Sequence, residues 1–352
     1  MINLSYDIRR KWLHYNSLNH ETGEFAFYCS QNSILSGNGD ENPLISFFTP
    51  IYNTGNKLLR TYDSLKNQTY KNWEWVVVND SNDNITQEII NEISLIDSRV
   101  KVFEFLEKSN GVIGEAKWRA ASQTNGKWIV ELDHDDYLLP DAGKFVIEAF
   151  RKYPDAKFVY SDCAEIDENW NSLTYDDGFA FGYRSYRNEK VGSREFKVVN
   201  SPNINPKTIR HIVGVPNHLR AWCRLFYHQI GGYNRKLSIA DDYELIVRTF
   251  LYTRMVRIPK LLYLQFHHQS NTQDKRRSDI QRRVRFISNF YNEKIRDRFS
   301  NLSKVDWAWE ENPQDPLRTK SRLRDEEGYV NYIYEEVDYT YEEDNKVWGY
   351  RI

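Results

Sequence analysis

The stretches PLISFFTPIYN (43–53), WEWVVVNDSN (73–82) and WIVELDHDD (128–136) share one plan: an apolar run of strand length that ends abruptly in Asn or Asp. Continuous apolar runs suit strands of a parallel sheet covered on both faces, because a strand with one wet face alternates instead. Between the first two runs lies an amphipathic segment through Leu58, Leu59 and Leu65. Between the second and third lie a helical pattern at TQEIINEISLI, a strand at VKVFEF and a helical pattern at GEAKWRAASQ. Strands and helices in alternation predict an α/β fold with a Rossmann-like, mostly parallel sheet flanked by helices. In such sheets ligands collect outside the carboxyl ends of the strands. Three polar sets sit there: Thr49, Pro50, Tyr52 and Asn53; Asn79 and Asp80; and Asp133, His134, Asp135 and Asp136.

Working outward, Pro140 suits the first turn of a helix whose buried side carries Phe145, Val146, Ala149 and Phe150, and the strand KFVYSD follows. Residues 167–210 are polar, aromatic and aperiodic, the composition of a long excursion over a site. Regular structure is expected again near Pro216. Residues 1–42 have no strong period and end in the turn-rich SGNGDENP, which reads as an N-terminal arm and linker. Residues 274–298 carry nine Lys or Arg against four Asp or Glu, whereas 306–352 carry thirteen acidic residues against six basic ones, a separate acidic, Tyr-rich tail.

The whole chain, 352 residues with 40% hydrophobic and 15% aromatic residues, has enough apolar matter for a sizeable core, which excludes wholesale disorder. Its formal net charge of −2 creates no global field for nucleic acid, so no nucleic-acid partner is expected. Cys29, Cys163 and Cys223 are too scattered for a CxxC zinc site and cannot all pair, which fits a reducing compartment. No stretch approaches the ~20 apolar residues of a bilayer span, and MINLSYDIRRKW lacks the apolar core of a signal peptide. A soluble, cytoplasmic protein is therefore expected. The basic run Arg276, Arg277, Arg282, Arg283 and Arg285 offers contact with anionic lipid headgroups or a glycolipid phosphate, or else forms a solvated helix face opposite the acidic tail.

Asp133, Asp135 and Asp136 put three carboxylates within four residues, a mutual repulsion that a hard divalent cation relieves. Mg²⁺ or Mn²⁺ takes such oxygen ligands together with substrate phosphates and water, the chemistry of a nucleoside diphosphate. The plainer reading is an acidic turn capping the next helix, a role open to Asp136 and Asp141. Likewise Asp241 and Asp242 suit the N-terminus of a helix at YELIVRTF.

Taken together, PLISFFTPIYN, WEWVVVNDSN and NGVIGEAKWRAASQTNGKWIVELDHDD resemble the donor domain of inverting family 2 glycosyltransferases of the GT-A fold, over roughly residues 43–266. The resemblance implies that Thr49, Pro50, Tyr52 and Asp80 hold nucleobase and ribose, that Asp133 faces the ribose, and that Asp135 binds the metal, Mn²⁺ or Mg²⁺. IGGYNRKLSIADDYELIVRTF resembles the family's segment ending in an acidic pair, which implies Asp242 as catalytic base with Asp241 beside it. LLYLQFHHQSNT resembles the later strand that often supplies a metal-binding His; its spacing favours His268, with His267 as the alternative. Where the family commonly has Ala-Arg-Asn, this chain has Ala116-Lys117-Trp118, so Lys117 would face a phosphate as a point charge without the fork of Arg. Trp222 is a candidate to stack on an acceptor sugar, with core packing the alternative. Gln281 to Phe286 place the Arg of the processive Gln-x-x-Arg-Trp pattern one position late, which argues against a polymer-extruding synthase.

The resemblance implies a metal-dependent inverting hexosyl- or N-acetylhexosaminyltransferase that moves a sugar from a UDP-sugar to a glycan or glycolipid acceptor. It divides the chain into an arm (1–42), a nucleotide-binding half (43–136), an acceptor-binding half (137–270) and a C-terminal extension of basic helix and acidic tail (271–352). Two rivals are a sugar nucleotidyltransferase, which would want a Gly-rich phosphate loop where TPIYNTG offers only Gly55, and a catalytically inactive glycan-binding protein of the same fold.

Overall fold

The computed structural model describes residues 41–174, 186–199, 204, 209, 216–268 and 276–300. The arm at 1–40, Cys29 and the acidic tail lie outside the described residues.

In chain order the elements are β1 (Ile45–Ile51), α1 (Lys57–Lys66), β2 (Trp73–Asn79), α2 (Asn84–Ile96), β3 (Val100–Glu104), α3 (Ile113–Ser122), β4 (Trp128–Glu131), β5 (Tyr137–Leu138), α4 (Ala142–Lys152), β6 (Phe158–Ile166), β7 (Tyr186–Val191), β8 (Arg194–Val199), β9 (Arg220–Cys223), α5 (Arg224–Gln229), α6 (Asp241–Tyr252), β10 (Met255–Phe266) and α7 (Arg277–Ser300). Eight strands form one sheet in the order β3-β2-β1-β4-β9-β6-β10-β5. β1, β2, β3 and β4 pair in parallel, as do β6 and β10; β9 runs antiparallel between β4 and β6, and β5 runs antiparallel on β10.

The apolar runs explain this sheet. Successive strand side chains point to opposite faces, so Phe47 and Phe48 enter different cores. Phe48, Val76, Val78 and Ile129 pack with Trp222, Leu245, Ile246 and Ile287 on one face. Phe47, Trp75, Val77 and Val130 pack with Leu58, Leu65, Val146 and Phe150 on the other. Full burial of such side chains stabilises by roughly 1.5–3 kcal/mol each. In α1, Leu58 and Leu65 are buried but Leu59 is exposed. In α4 the buried residues are Ala142, Gly143, Val146, Ile147 and Phe150, with Phe145 and Ala149 at the margin.

The excursion expected at 167–210 contains the antiparallel hairpin β7–β8, whose Phe196 and Val198 pack with Ile166, Leu264 and Phe266 in a third, smaller cluster. Among the described residues neither Cys163 nor Cys223 is in a disulfide. Among the described residues no helix is long and apolar enough to cross a membrane.

The parallel register sets Ile51 beside Asn79 and Phe48 beside Glu131, so β1, β2 and β4 run out together. α3 reaches these ends because Gly114 admits the 234–237 loop: its N–H donates to the Leu237 carbonyl at 2.8 Å, and a Cβ there would lie 2.1 Å from the Asn234 carbonyl oxygen.

Candidate active site

The loops after β1 and β2 interlock. Asn53, in the left-handed region at φ 47°, donates its N–H to Ser81 Oγ at 3.0 Å and accepts from the Asn82 N–H at 2.9 Å. Asn tolerates that backbone better than most residues. Tyr52 is left 56% exposed beside this junction. Asp80 donates its N–H to the Ile51 carbonyl at 2.9 Å, while its carboxylate accepts from the N–H (2.9 Å) and the hydroxyl of Ser109. Thr49 lies deeper. Its buried hydroxyl donates to the Leu132 carbonyl at 2.7 Å and accepts from Trp75 Nε1 at 2.8 Å, so it braces β1 against β4 rather than facing the cleft.

The 133–136 loop is held from α1, from the loop before it and from β10. Thr61 Oγ1 reaches the carbonyls of His134 and Asp136 at 2.9 Å each, Arg60 Nε donates to the Asp135 carbonyl at 3.1 Å, and Thr54 Oγ1 meets His134 Nδ1 at 2.9 Å. Asp136 is buried, and its two oxygens accept from Tyr263 OH and the Phe266 N–H, both at 2.7 Å. Burial and the neighbouring carboxylates of Asp135 and Asp133 push its proton affinity well up. Asp136 therefore anchors the loop, while Asp133 and Asp135 each meet a histidine.

Asp135 Oδ2 lies 2.6 Å from His268 Nε2. Burial opposes its ionisation, but His134 and His268 outweigh that and hold the carboxyl below its ordinary range. Asp133 Oδ2 lies 3.3 Å from Nε2 of His218, whose ring stacks on Tyr263 at 4.6 Å; against burial, His218 and Lys117 hold this carboxyl low as well. His267 turns the other way, its Nε2 3.1 Å from Glu165 Oε2 on β6. Of the two histidines, His268 is the one at Asp135.

Behind these groups lies a buried ion chain that the sequence reading missed. Glu131, fully buried, accepts from Lys117 Nζ at 2.6 Å and from Arg220 Nη1 at 3.3 Å. Lys117 Nζ is 3.7 Å from Asp241 Oδ2, and Arg220 Nη2 donates to Asp242 Oδ2 at 3.1 Å. Lys117 thus pairs with Glu131 and Asp241. A charged residue amid the apolar run WIVEL was the available signal, since a carboxylate is buried in such a strand only if paired.

The acidic pair at the start of α6 divides. Asp241 is buried with Oδ2 unbonded, and burial, reinforced by Asp242 and Glu131 against the pull of Lys117, pushes its pKa up to about 7. Asp242 keeps a third of its side chain exposed, and Arg220 and Lys117 hold it below its ordinary range despite burial. Trp222 is fully buried: it stacks among Phe158, Tyr227 and Tyr233, and Nε1 donates to Thr249 Oγ1 at 3.0 Å. No ring face remains for a sugar, so core packing replaces the expected stacking role.

The donor set suits a divalent cation. Asp133, Asp136 and His218 offer ligand atoms within 4.8 Å of one another, and Asp135 lies 2.6 Å from His268. His218 Nδ1 is also buried without a hydrogen-bond partner. Oxygen ligands with one or two imidazoles match Mn²⁺ better than Mg²⁺, which prefers oxygen alone.

The family model described as glycosyl transferase family 2 matches residues 46–205. The chondroitin synthase of Pasteurella multocida (strain Pm70) is 29% identical over 245 residues, which cover 70% of this chain and 23% of that protein. The chain thus spans about a quarter of that relative's length. Among solved structures, S. aureus TarS 1–349 in complex with UDP-GlcNAc superposes with a TM-score of 0.53 at 14% identity, covering 82% of this chain and 78% of that one. The mannosyltransferase PcManGT from Pyrobaculum calidifontis, in complex with GDP-Man and Mn²⁺, does so with a TM-score of 0.50 at 14% identity, covering 82% and 80%. Both are likenesses of fold. Sheet order, strand-end loops and the family match lead to one conclusion: residues 46–205 are similar to glycosyl transferase family 2, and the chain is built on the GT-A fold.

Proposed function

We propose that the chain is a metal-dependent inverting glycosyltransferase that transfers a sugar from a UDP-sugar to a hydroxyl of a glycan acceptor. The observation that carries this reading is the pairing of Asp135 with His268 at 2.6 Å beside Asp133, at the ends of β4 and β10. Residues 43–136 form the nucleotide-binding half and 137–270 the acceptor-binding half. Tyr52 and Asp80, in loops that interlock after β1 and β2, receive the base and ribose, with Pro50 and Asn53 shaping that loop and Asp133 toward the ribose. Asp135 and His268 hold Mn²⁺ or Mg²⁺. When bound, the cation supplies charge neutralisation to the diphosphate leaving group.

Asp242 takes the proton from the acceptor hydroxyl as that oxygen attacks the anomeric carbon opposite the diphosphate, so one displacement inverts configuration. Its partial exposure supports this role, because an acceptor hydroxyl can reach the carboxylate, whereas Asp241 is buried. A glycan acceptor is favoured by the relationship to a chondroitin synthase, and a UDP donor by the fold shared with a protein solved with UDP-GlcNAc. The test is a panel of nucleotide sugars screened on the full chain for Mn²⁺-dependent release of nucleoside diphosphate. Release from a UDP-sugar that chelation abolishes is expected. Release independent of metal, or none from any UDP-sugar, would overturn the reading.

A further inference from the structure

Two cations hold the two acids at the start of α6. Lys117 on α3 lies 3.7 Å from Asp241 Oδ2, and Arg220 on β9 donates to Asp242 Oδ2 at 3.1 Å. Both cations share one buried counter-ion, Glu131 on β4, with one of its oxygens for each. Arg220 is nearly inaccessible, and its Nε is tied at 2.9 Å to the Pro216 carbonyl, so its three bonds fix the plane of the guanidinium. The other Asp242 oxygen accepts the N–H of Tyr243 at 2.7 Å. An acid clamped on both oxygens from rigid elements has one orientation, and adjacent helical residues point ~100° apart. Of the two acids, the one that Arg220 holds keeps open surface: the Asp242 side chain is 33% exposed against 5% for Asp241.

We infer that Arg220, anchored by Glu131, is the positioning residue that aims the Asp242 carboxylate at the acceptor, while Lys117 draws Asp241 inward. The inference rests on Asp242 being the base. A buried guanidinium costs several kcal/mol to desolvate and persists only with paired carboxylates, and its rigid fork orients a partner in a way a lysine ammonium does not. The groups that bear on Asp242 are Arg220 from β9, Lys117 from α3, His218 from the segment before β9, and Asp241 and the Tyr243 N–H on α6 itself, with Glu131 behind the two cations. Arg220 favours the ionised form, so its loss moves the titration of Asp242 upward.

The test uses the full chain with Mn²⁺, as wild type, Arg220→Lys and the double variant Glu131→Gln/Arg220→Gln. The double variant removes the buried cation together with one of its counter-ions, and Lys117, which loses Glu131, keeps Asp241 at 3.7 Å as its partner. Three quantities are read: UDP affinity by calorimetry, UDP release from the UDP-sugar that wild type turns over fastest, and the ¹³C titration of the Asp242 carboxyl, identified by its absence in Asp242→Asn. Expected are UDP affinity within about 2-fold of wild type, turnover reduced by about tenfold or more in both variants, and an Asp242 midpoint raised in the double variant. An unmoved Asp242 midpoint in the double variant, or wild-type turnover in Arg220→Lys, would overturn the inference. The functional reading fails separately: if Asp242→Asn keeps its turnover while the midpoint still moves with Arg220, the clamp stands and the base lies elsewhere.

Discussion

The carboxylate of Asp135 and the imidazole of His268, 133 residues apart in sequence, meet at 2.6 Å. β4 delivers the first and β10 the second, and Asp136 ties the two elements by accepting both Tyr263 OH and the Phe266 N–H. A cation bound between these two side chains would find its site preset by the sheet.

Asp135→Asn tests that site directly. Loss of even an outer partner of a metal ligand costs roughly 10–100-fold in metal affinity, so loss of a ligand should cost at least that. Calorimetric titration of UDP with and without Mn²⁺ is expected to show a metal-dependent gain in wild type that largely disappears in the variant. An equal gain in both would remove Asp135 from the site.

Asp80 holds Ser109, and in the proposed function it also faces the base; the two roles separate experimentally. A wrong base leaves buried polar groups unpaired, so UDP should bind more tightly than GDP or ADP, and Asp80→Ala should erase most of the difference. Ser109→Ala should leave the preference intact. If Ser109→Ala matches Asp80→Ala, the carboxylate acts only by holding the 109 loop.

The raised Asp241 has a sign opposite to that of most carboxylates. Between about pH 4 and its folded value near 7, the unfolded chain has lost this proton and the folded chain retains it, so the folded state binds more protons. Stability from this group is present below pH 4 and falls as pH rises to about 7. Asp241→Asn removes the penalty, and its gain in Tm over wild type should be larger at pH 8 than at pH 5, on the order of several degrees. A gain that is equal at both pH values, or larger at pH 5, would contradict the assignment.

The residues also show where sequence reading succeeded and where it stopped. The strand ends at Asn53, Asp80 and Asp133 were legible because parallel, doubly covered strands are apolar throughout and their polar stops share one edge. His268 and Asp135 came from resemblance, and the fold brings them together. The directions of Lys117 and Trp222 were not legible because a cation or an aromatic at helix or strand spacing carries no mark of which way it faces; Glu131 pairs with the first and Thr249 takes the indole of the second. β9 was hidden because a four-residue antiparallel insert between β4 and β6 depends on distant partners, with no local period to announce it. The hairpin β7–β8 escaped for a related reason: its exposed face is charged and only Phe196, Val198 and Val199 are buried.

The sharpest test of the mechanism is turnover by Asp242→Asn set against its affinity for UDP with Mn²⁺. The change is nearly isosteric and leaves Asp135 and His268 untouched, so UDP binding should stay near wild type while turnover falls by roughly 10²–10⁴-fold, the loss typical of a positioned base. Asp241→Asn should retain most of its turnover. Near-normal turnover in Asp242→Asn with loss in Asp241→Asn would move the base by one residue, and near-normal turnover in both would contradict the single inverting displacement.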